Sequence, residues 1–186
     1  MSPPDAKVRI LETDFRDLAA LGDALAVDDV YCCLGTTMRK AGSRDAFRRV
    51  DLDLPLALAR VARAYGARQF LFVSSLGADV RSRSFYLRVK GEAEARLADI
   101  GLETLLVFRP SLLLGDREEW RPGERVMQAL MRVLDPVLRG PLRRYRAVPA
   151  ASVAAAMVRA ALAGSEGLQV FQSERIEELG RPVSVS

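Results

Sequence analysis

The sequence contains no histidine. That absence removes the Ser-His-Asp triad, the Cys-His pair and every histidine-ligated metal site, so proton transfer falls to tyrosine, lysine or a carboxylate. Cysteine is scarce, with two residues side by side in "VYCCLGTT". Adjacent cysteines are neither a disulfide framework nor the spacing of a zinc site, and the expectation is a buried strand end with no bound metal. Lysine is nearly missing: Lys7, Lys40 and Lys90 stand among 28 basic residues that are otherwise all arginine. No apolar run reaches the roughly 18 residues of a membrane span. The start, "MSPPDAKVRILETD", is charged where a secretory leader is apolar. The expectations are therefore no membrane contact and a cytoplasmic protein.

What is present is a chain of 186 residues, 49% apolar, long enough for one domain with a layered core. Its net charge of +4 suits anionic ligands without identifying one. "KVRILETDF" alternates like a strand, "RDLAALGDALA" repeats at helical period, and "DDVYCCLGTT" reads as a second strand ending in a Gly-Thr-Thr loop. A long helix is expected over "SRDAFRRVDLDLPLALARVARAYGA", with Pro55 kinking or breaking it and Gly66 ending it. "RQFLFVSSLGAD" and "LETLLVFRPSLLLGD" are further strands, and helical patterns cover "GERVMQALMRVLDPVL" and "VPAASVAAAMVRAALAG". "LQVFQSERIEELG" closes with a strand and a helical turn. Strands alternating with helices predict an α/β fold, a doubly wound and mostly parallel sheet with helices on both faces.

The chemistry gathers around "SFYLRVKGEAEARL". On a helix, Tyr86 and Lys90 lie on one face, beside an apolar stripe of Phe85, Val89, Ala93 and Leu97. A phenol titrating near 10 is a poor proton shuttle at neutral pH, and a neighbouring ammonium favours its phenolate. Upstream, Ser74 and Ser75 end a strand, where α/β sheets present groups to ligands. A hydroxyl there can hold a carbonyl oxygen while the tyrosine moves its proton. The plainer readings are a solvated helix face for the Tyr-Lys pair and a turn or cap for the serines. Gly91, in mid-helix at a cost of about 1 kcal/mol relative to alanine, marks a close approach by another backbone or by a ligand.

Taken in order, "CCLGTTMRKAGSRDAFRRVD", "VSSLGAD", "YLRVKGEAEA" and "VFRPSLLLGDREEWRPGE" resemble the atypical short-chain dehydrogenase/reductases of the HIV Tat-interacting-protein-like group, over almost the whole chain. The resemblance implies an NAD(P)-dependent oxidoreductase. It would move hydride to or from a small carbonyl or alcohol, with NADP or NAD as cofactor. It implies Tyr86 as the proton donor or acceptor, Lys90 as the holder of the nicotinamide ribose, and Ser75, or second to it Ser74, as the residue orienting the carbonyl. It also implies cofactor contacts at Leu34 and Gly35, at Asp14 and Phe15 beside the adenine, and at Arg121 for phosphate. Pairing of two copies through the long helices follows from the same resemblance.

One departure stands out. A dinucleotide fold opens with a strand, a glycine-rich turn and a helix, whereas this sequence enters at what the family counts as its third strand. The expectation is one Rossmann-like domain over 1–186, N-terminally truncated, with the first βαβ portion absent. A non-catalytic nucleotide sensor or scaffold, or an inactive fragment, is the competing reading. The run "LRGPLRRYR" reads as a solvated loop, with no nucleic-acid partner.

Overall fold

The computed structural model describes residues 8–13, 15, 17–111, 113–114 and 146–181. In chain order, a 3-10 helix over Leu18–Leu25 precedes β1 (Asp29–Cys32), α1 (Met38–Ala41) and α2 (Arg44–Arg48). A π-turn over Arg49–Asp53 leads directly into α3 (Leu54–Ala64), followed by β2 (Gln69–Val73), α4 (Phe85–Ala98) and β3 (Thr104–Arg109). The remaining elements are β4 (Leu113–Leu114), β5 (Val148–Pro149), α5 (Ala150–Leu162), β6 (Gly167–Gln172) and α6 (Ser173–Gly180).

β1, β2, β3 and β6 form one parallel sheet in that order, and β4 pairs with β5 in a small separate ladder. Because side chains alternate across a strand, neighbouring residues of β2 and β3 serve opposite faces. Phe70, Phe72, Leu105 and Val107 meet Phe47, Leu52, Leu56, Val89 and Leu97 from the helices on one side. Leu71, Leu106 and Phe108 meet Val153, Ala156, Met157 and Ile176 on the other. Each fully buried Phe, Leu or Val of this core stabilises the fold by about 1.5–3 kcal/mol relative to exposure. The α/β architecture with helices on both faces is thus the one the strand-helix alternation predicts. Among the described residues no helix is long and apolar enough to cross a membrane.

The opening differs from expectation. Within "KVRILETDF" the described residues Val8 to Thr13 form no strand and carry no ladder bonds, and Val8, Ile10 and Leu11 stand exposed. An alternating pattern becomes a strand only where a neighbour takes its hydrogen bonds, and among the described residues β1 pairs on one edge, with β2. The following helix is of 3-10 type, is interrupted at Gly22 (φ 48°), and is capped by Asp17, whose Oδ1 accepts from the Ala20 amide at 3.1 Å. The predicted helix over "GERVMQALMRVLDPVL" and most of the "LRGPLRRYR" run lie outside the described residues.

Pro55 bends the predicted long helix without ending it. It has no N–H to offer the Asp51 carbonyl, and its ring crowds that carbonyl. The chain opens into the π-turn, in which the Leu54 amide reaches the Arg49 carbonyl five residues back, and then resumes as α3. Gly66 (φ 91°) stops it as expected.

Gly91 is explained by this chain's own backbone. A Cβ there would fall 2.5 Å from the Asp79 carbonyl carbon and 2.6 Å from the Val80 nitrogen, so the loop before α4 presses directly on the helix. Gly91→Ala is therefore expected to lower unfolding free energy by about 1–3 kcal/mol through overpacking, outweighing the roughly 1 kcal/mol that alanine adds to helix propensity. Urea unfolding monitored by circular dichroism checks this, and an unchanged midpoint would refute it.

Candidate active site

The C-terminal ends of β1, β2 and β3, the end of a parallel sheet where ligands bind, bring together most of the residues singled out in the sequence. β1 delivers Leu34, Gly35 and Thr36, β2 delivers Ser74 and Ser75, and β3 delivers Arg109. α4 lays Tyr86 and Lys90 across them. Ser84 caps this helix, accepting from the Leu87 amide at 3.5 Å. Val89, Ala93 and Leu97 are fully buried, which fixes the rotation of α4 and the height of Tyr86 and Lys90 above the sheet.

Lys90 is 4% exposed. Its Nζ lies 2.8 Å from Asp51 Oδ1, donates to the Val73 carbonyl at 3.4 Å and sits 5.2 Å from the centroid of the Phe72 ring. Asp51, 1% exposed, belongs to the π-turn, and its Oδ2 accepts from the Thr36 amide at 2.8 Å. Burying either charge alone is prohibitive, whereas the pair with its hydrogen bonds is tolerated. The Lys90 contact is an ion pair outside hydrogen-bond alignment, which leaves Asp51 Oδ1 as a buried acceptor without an aligned donor. Beside it, a Cβ on Gly35 would sit 3.4 Å from Asp51 Oδ1 and 3.8 Å from Lys90 Nζ. Glycine at this position keeps the backbone close to the pair with no side chain interposed.

Tyr86 stands at the rim, 36% exposed, its ring edge-on to Phe47 at 5.8 Å. Its hydroxyl makes no hydrogen bond with any other described residue, and the Lys90 ammonium is turned to Asp51. The two serines part company. The buried Ser74 donates its hydroxyl to Glu94, whose carboxylate also takes the Arg109 guanidinium at 3.0 Å, so Ser74 clasps α4 to the ends of β2 and β3. Ser75 is half-buried and reaches only the Leu76 carbonyl, at 3.5 Å. Leu34 packs on the core beside the site, and Phe15 is half-buried in a left-handed conformation (φ 60°). Asp14 and Arg121 lie outside the described residues.

Asp51 and Glu94 escaped the reading of the sequence. The available signal was an acid on the apolar face of a helix, since Asp51 falls four residues after Phe47 and four before Pro55, both buried. Cys32, the buried end of β1, is pushed up to about 11 chiefly by desolvation. It is a neutral thiol at physiological pH.

No family model matches the chain. It is 41% identical over 171 residues to the protein HTATIP2 of Rattus norvegicus, an alignment covering 90% of this chain and 68% of the rat protein. With the mitochondrial protein fmp52 of Emericella nidulans it shares 39% identity over 128 residues, 67% of this chain and 55% of that protein. Among solved structures, the enzyme WbmH of Bordetella bronchiseptica in complex with NAD+ superposes with a TM-score of 0.61 at 17% identity, over 90% of this chain and 60% of that one. The dTDP-4-dehydrorhamnose reductase of Bacillus anthracis with NADP gives 0.56 at 11% identity, over 89% of this chain and 66% of that one. At such identities the structures establish the fold. The chain spans only part of each of these proteins. The names of the fungal relatives overturn the cytoplasmic expectation, because several are mitochondrial proteins. The physical reason for the miss is that a charged start argues against an apolar secretory leader alone, whereas mitochondrial addresses are amphipathic and arginine-rich.

Two outcomes follow from the geometry. Asp51→Ala strands a buried ammonium and is expected to cost about 3–5 kcal/mol, while the double change Asp51→Leu with Lys90→Met costs less than Asp51→Ala alone, both read from urea unfolding. Under native conditions a thiol reagent labels the exposed Cys33 and spares Cys32 until the protein unfolds, as mass spectrometry of the modified peptide will record.

Proposed function

The chain belongs to the family of HTATIP2, among the atypical short-chain dehydrogenase/reductases, and from that membership we propose that it binds a nicotinamide dinucleotide and moves hydride between it and a small carbonyl or alcohol. The observation that carries the reading is the buried Lys90 ammonium, fixed between Asp51 and the Val73 carbonyl beside Gly35, one helical turn from Tyr86.

The residues fit the nicotinamide-ribose end of such a cofactor. The Lys90 ammonium retains a donor for a ribose hydroxyl, while Asp51 holds it in place from the buried side. Gly35 lets a sugar approach the pair. When bound, the nicotinamide supplies or takes the hydride. Tyr86 exchanges the phenolic proton with the carbonyl oxygen, and Ser75 donates its hydroxyl to the same oxygen. Asp51 neutralises Lys90 while the site is empty and keeps the ammonium from swinging into solvent. Ser74 takes no part with substrate, being held by Glu94. Solved neighbours bound to NAD and to NADP support a dinucleotide without choosing between the two.

The second reading, a nucleotide sensor without turnover, draws on the Tyr86 hydroxyl, which no described residue orients. The two are separated by titrating NADPH and NADH calorimetrically into the folded chain and then screening carbonyl substrates with Tyr86→Phe as control. Tyr86→Phe is expected to lower kcat by about 100-fold or more, the scale of a lost acid-base catalyst, with cofactor affinity unchanged. Binding without turnover in either protein would favour the sensor, and no binding by the folded chain would refute both.

A further inference from the structure

Away from the strand ends, Arg60 and Arg63 of α3 and Arg96 of α4 line one open cavity of about 620 Å³, together with Ala64, Asp99 and Ile100. From Tyr86 to Arg96 the helix rises about 15 Å, so this cavity is separate from the site described above. Its guanidiniums are not needed to finish the helices. The Tyr65 amide donates to the Val61 carbonyl at 3.0 Å, that of Ala67 to Ala62 at 3.0 Å, and that of Asp99 to Ala95 at 3.3 Å.

Some arginines of the fold are neutralised by carboxylates, as Arg68 is by Glu103, Arg109 by Glu94 and Arg175 by Glu178. Arg60 and Arg63 make no hydrogen bond or ion pair with any described residue, and Arg96 shares Glu92 with Arg48. Asp99 is the one carboxylate in the lining, and with Arg96 drawn to Glu92 the charges of Arg60 and Arg63 are left in excess there. Like charges inside a Debye length of about 8–10 Å repel one another, and an anion seated among them relieves that repulsion. The planar fork of arginine matches phosphate oxygens two at a time.

We propose that this cavity binds a phosphate-bearing ligand, its dianionic group held by Arg60, Arg63 and Arg96 and its carbon frame resting on Ala64 and Ile100. The proposal stands apart from the oxidoreductase reading and survives its failure.

The test is calorimetric titration of inorganic pyrophosphate into the whole chain at low ionic strength, repeated on Arg60→Gln/Arg63→Gln and on Arg60→Glu/Arg63→Glu, with folding verified by circular dichroism. Saturable binding that weakens about tenfold or more in both variants is expected, a tenfold change being about 1.4 kcal/mol, with NADPH titration unaltered. Absence of saturable binding to the folded chain, or binding retained in both variants, would overturn the proposal. Sedimentation with phosphatidylcholine vesicles, with and without phosphatidic acid, then identifies the source. Capture that the variants lose assigns the phosphate to a lipid headgroup, and no capture assigns it to a free metabolite.

Discussion

The buried ion pair between Lys90 and Asp51 is the contact on which the strand-end site depends. It joins α4 to the π-turn, and through the remaining hydrogen bonds it reaches the loop after β1 at Thr36 and the end of β2 at Val73. Four segments far apart in the chain meet at two side chains. In a low-dielectric interior neither charge persists without the other, so the elements that carry them are held in one arrangement. The pair is weak evidence for stability and strong evidence for geometry.

The π-turn is what brings Asp51 to that position. Proline at 55 denies the helix one regular bond, and the wider turn that answers it lies where an acid is required beside the sheet. Next to it, Ser74, Glu94 and Arg109 form a second polar clasp between α4 and the strand ends. The two clasps divide the residues of the region. One ties the helix to the ends of β2 and β3, and the other packs an ammonium and a carboxylate beside Gly35 at the end of β1. Tyr86 and Ser75, neither of them held by strong bonds of its own, complete the rim.

Family membership and geometry contribute different parts of the functional reading. The relatives establish descent from an atypical short-chain dehydrogenase/reductase, and solved neighbours at low identity establish the fold. The geometry adds the buried Lys90–Asp51 pair and a Tyr86 hydroxyl that makes no hydrogen bond with any other described residue. The fungal names overturned the cytoplasmic expectation, because the scarcity of apolar residues in one stretch bears on secretory leaders and is silent on amphipathic mitochondrial ones.

The sequence by itself determined the layered α/β fold, since alternation at two and recurrence at three to four residues set which side chains can share a buried face. It also determined the candidate pair, because residues four apart on a helix share a face whatever surrounds them. Tertiary structure alone decided the rest. Val8 to Thr13 have a strand pattern and no strand, for a ladder needs a partner. Gly91 faces its own chain's loop, and Ser74 turned to Glu94 where Ser75 did not. Lys90 found its counter-charge in Asp51, on another helix, because the partner of a buried charge is fixed by distance in space, which local periodicity does not encode.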